Sequence, residues 1–267
     1  MDPLAPLLAS LSADGRLRVW SLVITVFGDA VRPRGGRVAA ARLQRLMERL
    51  GVEAGALRTA LSRLASDGWV ERDREGRNSF YRLSVRGLGE FAPASGRIYA
   101  PARPDTGGDW TLALGGDPPG GAVVLGPGLW LVQTPRGAAG ADAALSVTGR
   151  LLADPAALSD RLPTPDHREA LSRLMSDLGA LRSPPSAPLD AMAARVLLIH
   201  RWRRIVLRHP DLPDALLPPE LRGARARVAA AYAALLPLSE SWLDHDDAAF
   251  PAMPPANGTM AQRFQGP

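Results

Sequence analysis

The sequence predicts an α+β protein with its helices at both ends and short strands between. Three observations carry this. Apolar residues recur at helical spacing up to residue 66 and again beyond residue 166, two-residue alternation appears around 69–83 with four short strand-like runs broken by Gly and Pro between 110 and 152, and Pro, Gly and Asp crowd together at 101–109. The predicted domains are 1–100, 101–165 and 166–267, an ordinary number for 267 residues.

Residues 1–15, rich in Pro, Ala and Ser, read as a partly ordered lead. From Leu17 to Val31 the apolar positions Val19, Trp20, Val23, Ile24, Val26 and Phe27 form the broad stripe of a helix buried on one side. The run Arg32-Pro33-Arg34-Gly35-Gly36-Arg37 breaks it. A second helix is expected from about Ala39 to Leu50, with Leu43, Leu46, Met47 and Leu50 on one face and Gly51 as a left-handed cap. A third runs from about Glu53 to Ser66.

On a wheel of that third helix, Leu61 and Leu64 fall within about 40° of Leu57, while Gly55, Arg58, Thr59, Ser62 and Arg63 take the opposite side. Two helices joined by a short Gly turn make a helix-turn-helix, whose second helix can enter the major groove of DNA. After Gly68, Trp69 to Asp73 alternates, Arg74 to Asn78 turns the chain, and Ser79 to Leu83 returns as a second strand. This is a hairpin wing. In the middle domain strands are expected at Trp110–Leu114, Val123–Leu125, Leu129–Val132 and Leu145–Leu152. The last domain is read as helices over His167–Leu181, Leu189–Leu207 and Gly223–Trp242, followed by a Pro-rich and Gly-rich tail after Phe250 that should fray.

Charge separates the domains. All 32 basic residues are arginine, and residues 1–100 hold 16 of them against 10 Asp and Glu, net +6, so the excess of the whole chain sits in the first domain. An anionic partner is expected there, nucleic acid before membrane, because no basic amphipathic anchor accompanies it. Arg58, Thr59, Ser62 and Arg63 are the candidates for base edges, since arginine can bind guanine O6 and N7 in a bidentate way. Arg72, Arg74, Arg77 and Asn78 on the wing, with Arg42 and Arg45 on the second helix, are the candidates for phosphate. Taken singly, each of these arginines could equally be a solvated surface group. Trp69, Phe80 and Tyr81 sit at the hairpin root and are read as packing residues.

The absence of cysteine excludes disulfides, thiolate nucleophiles and thiolate zinc sites. No window approaches the ~18 apolar residues of a membrane span, and no signal-like leader is seen, so a cytoplasmic protein is expected. The four histidines, at 167, 200, 209 and 245, show no paired metal spacing. No metal, cofactor or enzymatic activity is expected.

The residues Leu57 to Leu64, Gly68-Trp69, Gly76-Arg77 and Phe80 to Ser84, together with Ile199-His200-Arg201-Trp202-Arg203-Arg204, Leu207-Arg208, Pro210, Leu212-Pro213, Leu216 to Pro218 and Trp242-Leu243, resemble the PaaX-type transcriptional repressors of phenylacetate catabolism over nearly the full length. The resemblance implies a homodimeric repressor of palindromic operator DNA with an N-terminal winged helix, a ferredoxin-like βαββαβ middle module and a C-terminal helical domain for effector binding and dimerisation. The implied effector is phenylacetyl-CoA or a related aryl acyl-CoA. Two departures are visible. Gly115-Gly116-Asp117-Pro118-Pro119-Gly120-Gly121-Ala122 stands where the family places a crossover helix, so a reduced middle module is expected, and Glu53 stands where a serine would cap the third helix.

Arg201, Arg204 and Arg208 share a helix face at spacings of three and four. With His200 they could meet the phosphates of a coenzyme A moiety. The alternative is structural pairing with acids of neighbouring helices. Two other readings of the whole chain stay in view: a winged helix that binds protein rather than DNA, and a residual metal-dependent nuclease using Asp109.

Overall fold

The computed structural model of the chain describes residues 2–13, 18–76, 78–102, 109–119, 122–133, 142–150 and 162–265. Helices and two small antiparallel sheets form a mixed α+β protein. The chain divides into two compact units, one of Met1–Pro101, Arg173–Arg204 and Arg225–Pro267, the other of Ala102–Ser172 and Ile205–Ala224. Of residues 166–267, 166–172 and 205–224 fall in the second unit and the others in the first.

The first unit opens with α1 (Ala5–Ala13), an ordered helix with Leu7 and Leu11 buried where a loose lead was expected. Helix α2 (Val19–Val26) is buried over most of its surface and passes directly into one turn of π-helix, Phe27–Val31. The strand β1 (Arg37–Ala39) precedes α3 (Ala40–Arg49) and α4 (Ala54–Ser66). Leu43, Leu46, Met47, Leu57, Leu61 and Leu64 face inward as the helical spacing requires.

Both helices end in the same backbone device. Gly51 (φ 77°) follows α3 with Gly51 N–H donating to Glu48 O (2.9 Å) and Val52 N–H to Met47 O (2.9 Å); Gly68 (φ 72°) follows α4 with Gly68 N–H to Ala65 O (3.0 Å) and Trp69 N–H to Leu64 O (2.8 Å). These are Schellman caps, in which a residue without Cβ takes the left-handed conformation and satisfies the last carbonyls. One cap sets the turn between α3 and α4; the other aims the chain into β2. Glu53 caps α4 without a side-chain hydrogen bond, as its shape predicts.

Strands β2 (Val70–Glu75) and β3 (Asn78–Leu83) form the expected hairpin, and β1 adds to its other side in the order β1-β3-β2. A helix not legible in the sequence follows, α5 (Val85–Ile98). Ser84 caps it: its Oγ accepts from Gly87 N–H (3.0 Å) and donates to Gly68 O (2.5 Å).

The second unit contains β4 (Trp110–Leu114), β5 (Val123–Gly126), β6 (Leu129–Gln133) and β7 (Leu145–Gly149) in the order β5-β6-β4-β7, every neighbouring pair antiparallel. Residues 115–119, described between β4 and β5, are not helical, as the glycines and prolines require. The expected extension of β7 to Leu152 falls partly outside the described residues. Three long helices complete the fold: α6 (Pro165–Ala180), α7 (Pro188–Arg208) and α8 (Ala224–Asp244).

A buried charge cluster holds the first unit. Asp29, in the π-turn, is 1% exposed, and Arg195 of α7 is fully buried. The Asp29 carboxylate receives four donors: Arg195 Nε (2.7 Å), Arg263 Nη1 (2.8 Å), Tyr99 Oη (2.6 Å) and Tyr232 Oη (3.0 Å). Tyr99, Tyr232 and Arg263 meet Oδ1 and Arg195 meets Oδ2, so both carboxylate oxygens are engaged. Burial works against its charge, but Arg195 and then Arg263 outweigh it and hold the carboxyl below its ordinary pKa. Arg195 also reaches Glu240 of α8, which accepts from Arg34 (2.5 Å).

The tail after Phe250, expected to fray, is docked. Asn257 N–H donates to Pro33 O (2.8 Å), Phe264 N–H to Tyr99 O (2.8 Å), and the Phe264 ring packs on Tyr99 and Tyr232. Composition pointed to disorder because the anchors are few; one buried arginine, Arg263, supplies most of them.

Replacing Asp29 by Asn should destabilise the protein by about 3–5 kcal/mol, because it leaves buried arginines uncompensated, measured as the urea midpoint at neutral pH. The sign with pH follows from the depressed folded pKa. Asp29 contributes its stability above the ordinary carboxylate range and loses it as pH falls through the folded value, so the acid limb of the stability profile should be flatter in Asp29→Asn.

Candidate nucleic-acid interface

Arg58, Thr59, Ser62 and Arg63 are all exposed on α4 and line one open, shallow depression with Ser66 and Asp67. The helix presents them because Leu57, Ala60, Leu61 and Leu64 are committed to the core. Thr59 donates its hydroxyl proton to Gly55 O (3.0 Å), which leaves its methyl and an oxygen lone pair outward. Arg63 lies 3.7 Å from Asp67, both largely in solvent. Such a pair is worth little and yields readily to a stronger partner.

The wing sorts its charges by face. Glu71, Asp73 and Glu75 alternate on one side of β2, and each is met by arginine: Arg82 to Glu71 (2.7 Å), Arg37 to Asp73 (3.2 Å) and to Glu75 (2.9 Å). Arg37 is steadied by stacking 3.6 Å over the Phe80 ring. By the two-residue alternation Arg72 and Arg74 take the other side, exposed, with Arg72 donating to Ser79 Oγ (3.0 Å). Asn78 is exposed at the start of β3; Arg77 lies outside the described residues. The role of Arg37 and Arg82 in neutralising the acidic face was missed, although Glu, Asp and Glu at every second position carried the signal.

Trp69 and Phe80 pack at the hairpin root as expected, Trp69 edge-on to Phe91 at 6.1 Å and Phe80 in a cluster with Ala39 and Phe250. Arg45 is exposed on α3.

Arg42 is a correction. It is 1% exposed, donates to the carbonyls of Trp242, His245 and Pro251, and lies over the Trp242 and Phe250 rings. Burial, then the neighbouring Arg34, lowers its pKa to about 10, which leaves it cationic at neutral pH. It fastens α3 to the end of α8 and has no surface to offer a phosphate. Arg42 directly precedes the inward Leu43 on the helix, and nothing in the spacing told them apart.

The expected effector cluster is divided as well. His200 is buried against Thr25 Oγ1 (3.0 Å), and burial with the charges of Arg203, Arg204 and Arg201 pushes its pKa down to about 3. Arg201 is buried, paired with Asp177 and donating to Ser10 (2.8 Å). These two residues follow the structural alternative. Arg204 and Arg208 are exposed, Arg208 lying 3.4 Å from Asp166. The shared face failed as a guide because residues 191–202 of α7 are buried all round, so spacing alone does not define an outward side.

No group of three or more His, Asp or Glu among the described residues could hold a metal ion, and Asp109 stands half-buried just before β4. No described helix is long and apolar enough to cross a membrane.

A cationic, outward-facing helix with a charge-sorted hairpin beside it is a surface suited to an anionic partner. Residues 18–87 match the model of the PaaX-like protein family and residues 165–245 that of the PaaX-like protein C-terminal domain. The chain is 32% identical over 242 residues to the transcriptional repressor PaaX of Escherichia coli K12, covering 78% of this chain and 76% of the relative. Among solved structures it is similar to the uncharacterised protein Rv0674 of Mycobacterium tuberculosis, with 19% identity, a TM-score of 0.46 and coverage of 83% of this chain and 97% of that one. The chain belongs to the PaaX family of transcriptional repressors, which are not enzymes.

The two arginines of α3 should separate cleanly. Arg42→Leu should destabilise the fold by about 3 kcal/mol, as loss of a buried, hydrogen-bonded cation does, whereas Arg45→Ala should stay within about 0.5 kcal/mol of the parent; thermal denaturation measures both.

Proposed function

We propose that the protein is a homodimeric, cytoplasmic repressor that grips palindromic operator DNA through a winged helix formed by α3, α4 and the β2–β3 hairpin. One observation carries this: Arg58, Thr59, Ser62 and Arg63 stand together in solvent on a helix whose other face is core. Arg58 and Arg63 read base edges; Arg72, Arg74, Asn78 and Arg45, with Arg77 of the wing turn, hold phosphates and fix the register. Two-fold symmetry offers one recognition helix to each half-site. The second unit is read as a reduced ferredoxin-like module. Its order β5-β6-β4-β7 with antiparallel neighbours supports that reading, since it places the first of the four strands between the third and fourth.

The family resemblance supports phenylacetyl-CoA or a related aryl acyl-CoA as the effector that releases the operator. Such a ligand acts only by binding the DNA-free arrangement better than the DNA-bound one. Arg204 and Arg208 are the exposed arginines of α7 left to meet it.

Binding should weaken steeply with salt, and Arg72→Ala or Arg74→Ala should each reduce the log–log salt slope by about one while leaving sequence preference unchanged. Arg58→Ala and Arg63→Ala should instead relax preference at one position of each half-site, worth about 1–3 kcal/mol. Footprinting and competition with variant operators on the protein's own upstream DNA make the measurement; an unaltered footprint in both α4 variants would refute the assignment of that helix.

A further inference from the structure

The hairpin wing is thinly anchored in the first unit. Of the described residues of β2 and β3, Val70, Phe80 and Leu83 are buried, and β2 is exposed throughout from Glu71 to Glu75. Val70 and Leu83 pair at the root, so Phe80, opposite Asp73, is the outermost buried side chain among them. A two-stranded ribbon is at best marginally stable by itself, and the inclination of this one depends on what holds Phe80. That ring packs in a cluster with Ala39 of β1 and Phe250 of the C-terminal segment. Arg37, stacked 3.6 Å over the Phe80 ring, continues to Asp73 (3.2 Å) and Glu75 (2.9 Å).

Phe250 is itself firmly placed. Asp247 and Phe250 exchange backbone hydrogen bonds (3.0 and 3.1 Å), Met253 N–H donates to Leu243 O (2.9 Å), and Asn257 N–H donates to Pro33 O (2.8 Å). Arg42 donates to Pro251 O (3.0 Å) and Arg34 to Pro254 O (3.0 Å). Apart from the Asp247–Phe250 pair, these anchors belong to α8, to α3 and to the segment before β1, and Phe250 carries their rigidity to the wing. The tail that supplies it begins after residue 245, where the match to the C-terminal-domain model ends.

We propose that the C-terminal segment is a strap that sets the wing, with Phe250 as its positioning residue. The Phe250 ring against Phe80 fixes the tilt of the hairpin beside α4, so that Arg72 and Arg74, on the face of β2 opposite Asp73, reach the same DNA as Arg58 and Arg63. This last step rests on the reading that α4 and the hairpin hold DNA; the restraint of the wing does not. The wing needs such a strap because β2 is an edge strand with no buried side chain beyond Val70.

Hydrogen exchange of the full-length protein, followed by mass spectrometry, reads the restraint by comparing the wing, residues 70–83, with α4, residues 54–66, as internal reference. Phe250→Ala should raise the ratio of wing to α4 exchange rates at least about tenfold, and Phe250→Leu, which keeps apolar bulk and the fold, by about threefold; a general loss of stability speeds both segments and leaves the ratio where it was. On DNA, Phe250→Leu should lower the log–log salt slope toward that of the Arg72→Ala/Arg74→Ala double variant, whose slope falls by about two, and should add little to it when all three substitutions are combined. An unchanged exchange ratio in Phe250→Leu would overturn the strap. Full additivity of Phe250→Leu with the double variant would overturn its action through Arg72 and Arg74. Should the parent bind no DNA, the repressor reading alone falls, and the exchange ratio still decides whether the tail holds the wing.

Discussion

Four donors converge on the carboxylate of Asp29, and the first unit is assembled around that convergence. Arg195 comes from α7, Tyr99 from the end of α5, Tyr232 from α8 and Arg263 from the tail, so segments far apart in sequence meet at one π-turn. A buried ion pair is weak evidence for stability, since desolvation offsets much of the Coulomb gain. Its consequence is specificity. A carboxylate in this position tolerates only an arrangement that delivers both guanidinium groups, and competing packings of the long apolar helices leave it unpaired. The π-turn contributes to this, because the carbonyls of Gly28 and Asp29 also accept from Arg263 (3.3 and 2.8 Å).

The cluster extends toward α3. Glu240 links Arg195 to Arg34, Arg34 reaches Asp244 (2.7 Å) and Pro254 O (3.0 Å), and Arg42 of α3 takes the carbonyl of Trp242 in the last turn of α8 and those of His245 and Pro251 beyond it. Arg49, at the other end of α3, pairs with Asp190 of α7 (2.5 Å) and Asp2 (2.6 Å). Helix α3 is thus held near its start by the hydrogen bonds of Arg42 to carbonyls and at its end by the charge pairs of Arg49, while α4 follows from the Gly51 turn. A change in how α7 and α8 hold α3 is therefore also a change in how α4 is presented.

Arginine serves three separate purposes in this chain, and burial tells them apart. Arg195, Arg42 and Arg263 are internal fasteners; Arg37 and Arg82 cancel the acids on one face of the wing; Arg58, Arg63, Arg72 and Arg74 remain in solvent. Guanidinium suits all three tasks because it stays charged when buried, stacks on aromatic rings and offers five donors.

Much of the local structure was legible. Helical spacing found α2, α3 and α4 to within a few residues, the glycines at 51 and 68 marked real caps, alternation found the β2–β3 hairpin but not β1, and Gly and Pro breaks marked the strands of the second sheet. The outward face of α4 was legible for the same reason: three leucines fix the inward side and the rest follows from geometry. Helix α5 was hidden because Gly87, Gly89, Pro93 and Gly96 dilute its period, and α1 because a short Pro-flanked helix of mostly small residues looks like a linker.

The sequence by itself determined which segments curl or extend, which faces are apolar, and that positive charge gathers in the first hundred residues, since these depend on neighbours within a turn or two. Tertiary structure alone decided what each arginine is for. Whether Arg42, His200 or Arg201 faces solvent or a partner inside the protein depends on residues up to about two hundred positions away, and periodicity has no access to distances of that kind. The same reason explains the tail: only a folded core offers Asp29 to Arg263, so a segment that looked unstructured on its own becomes part of the centre.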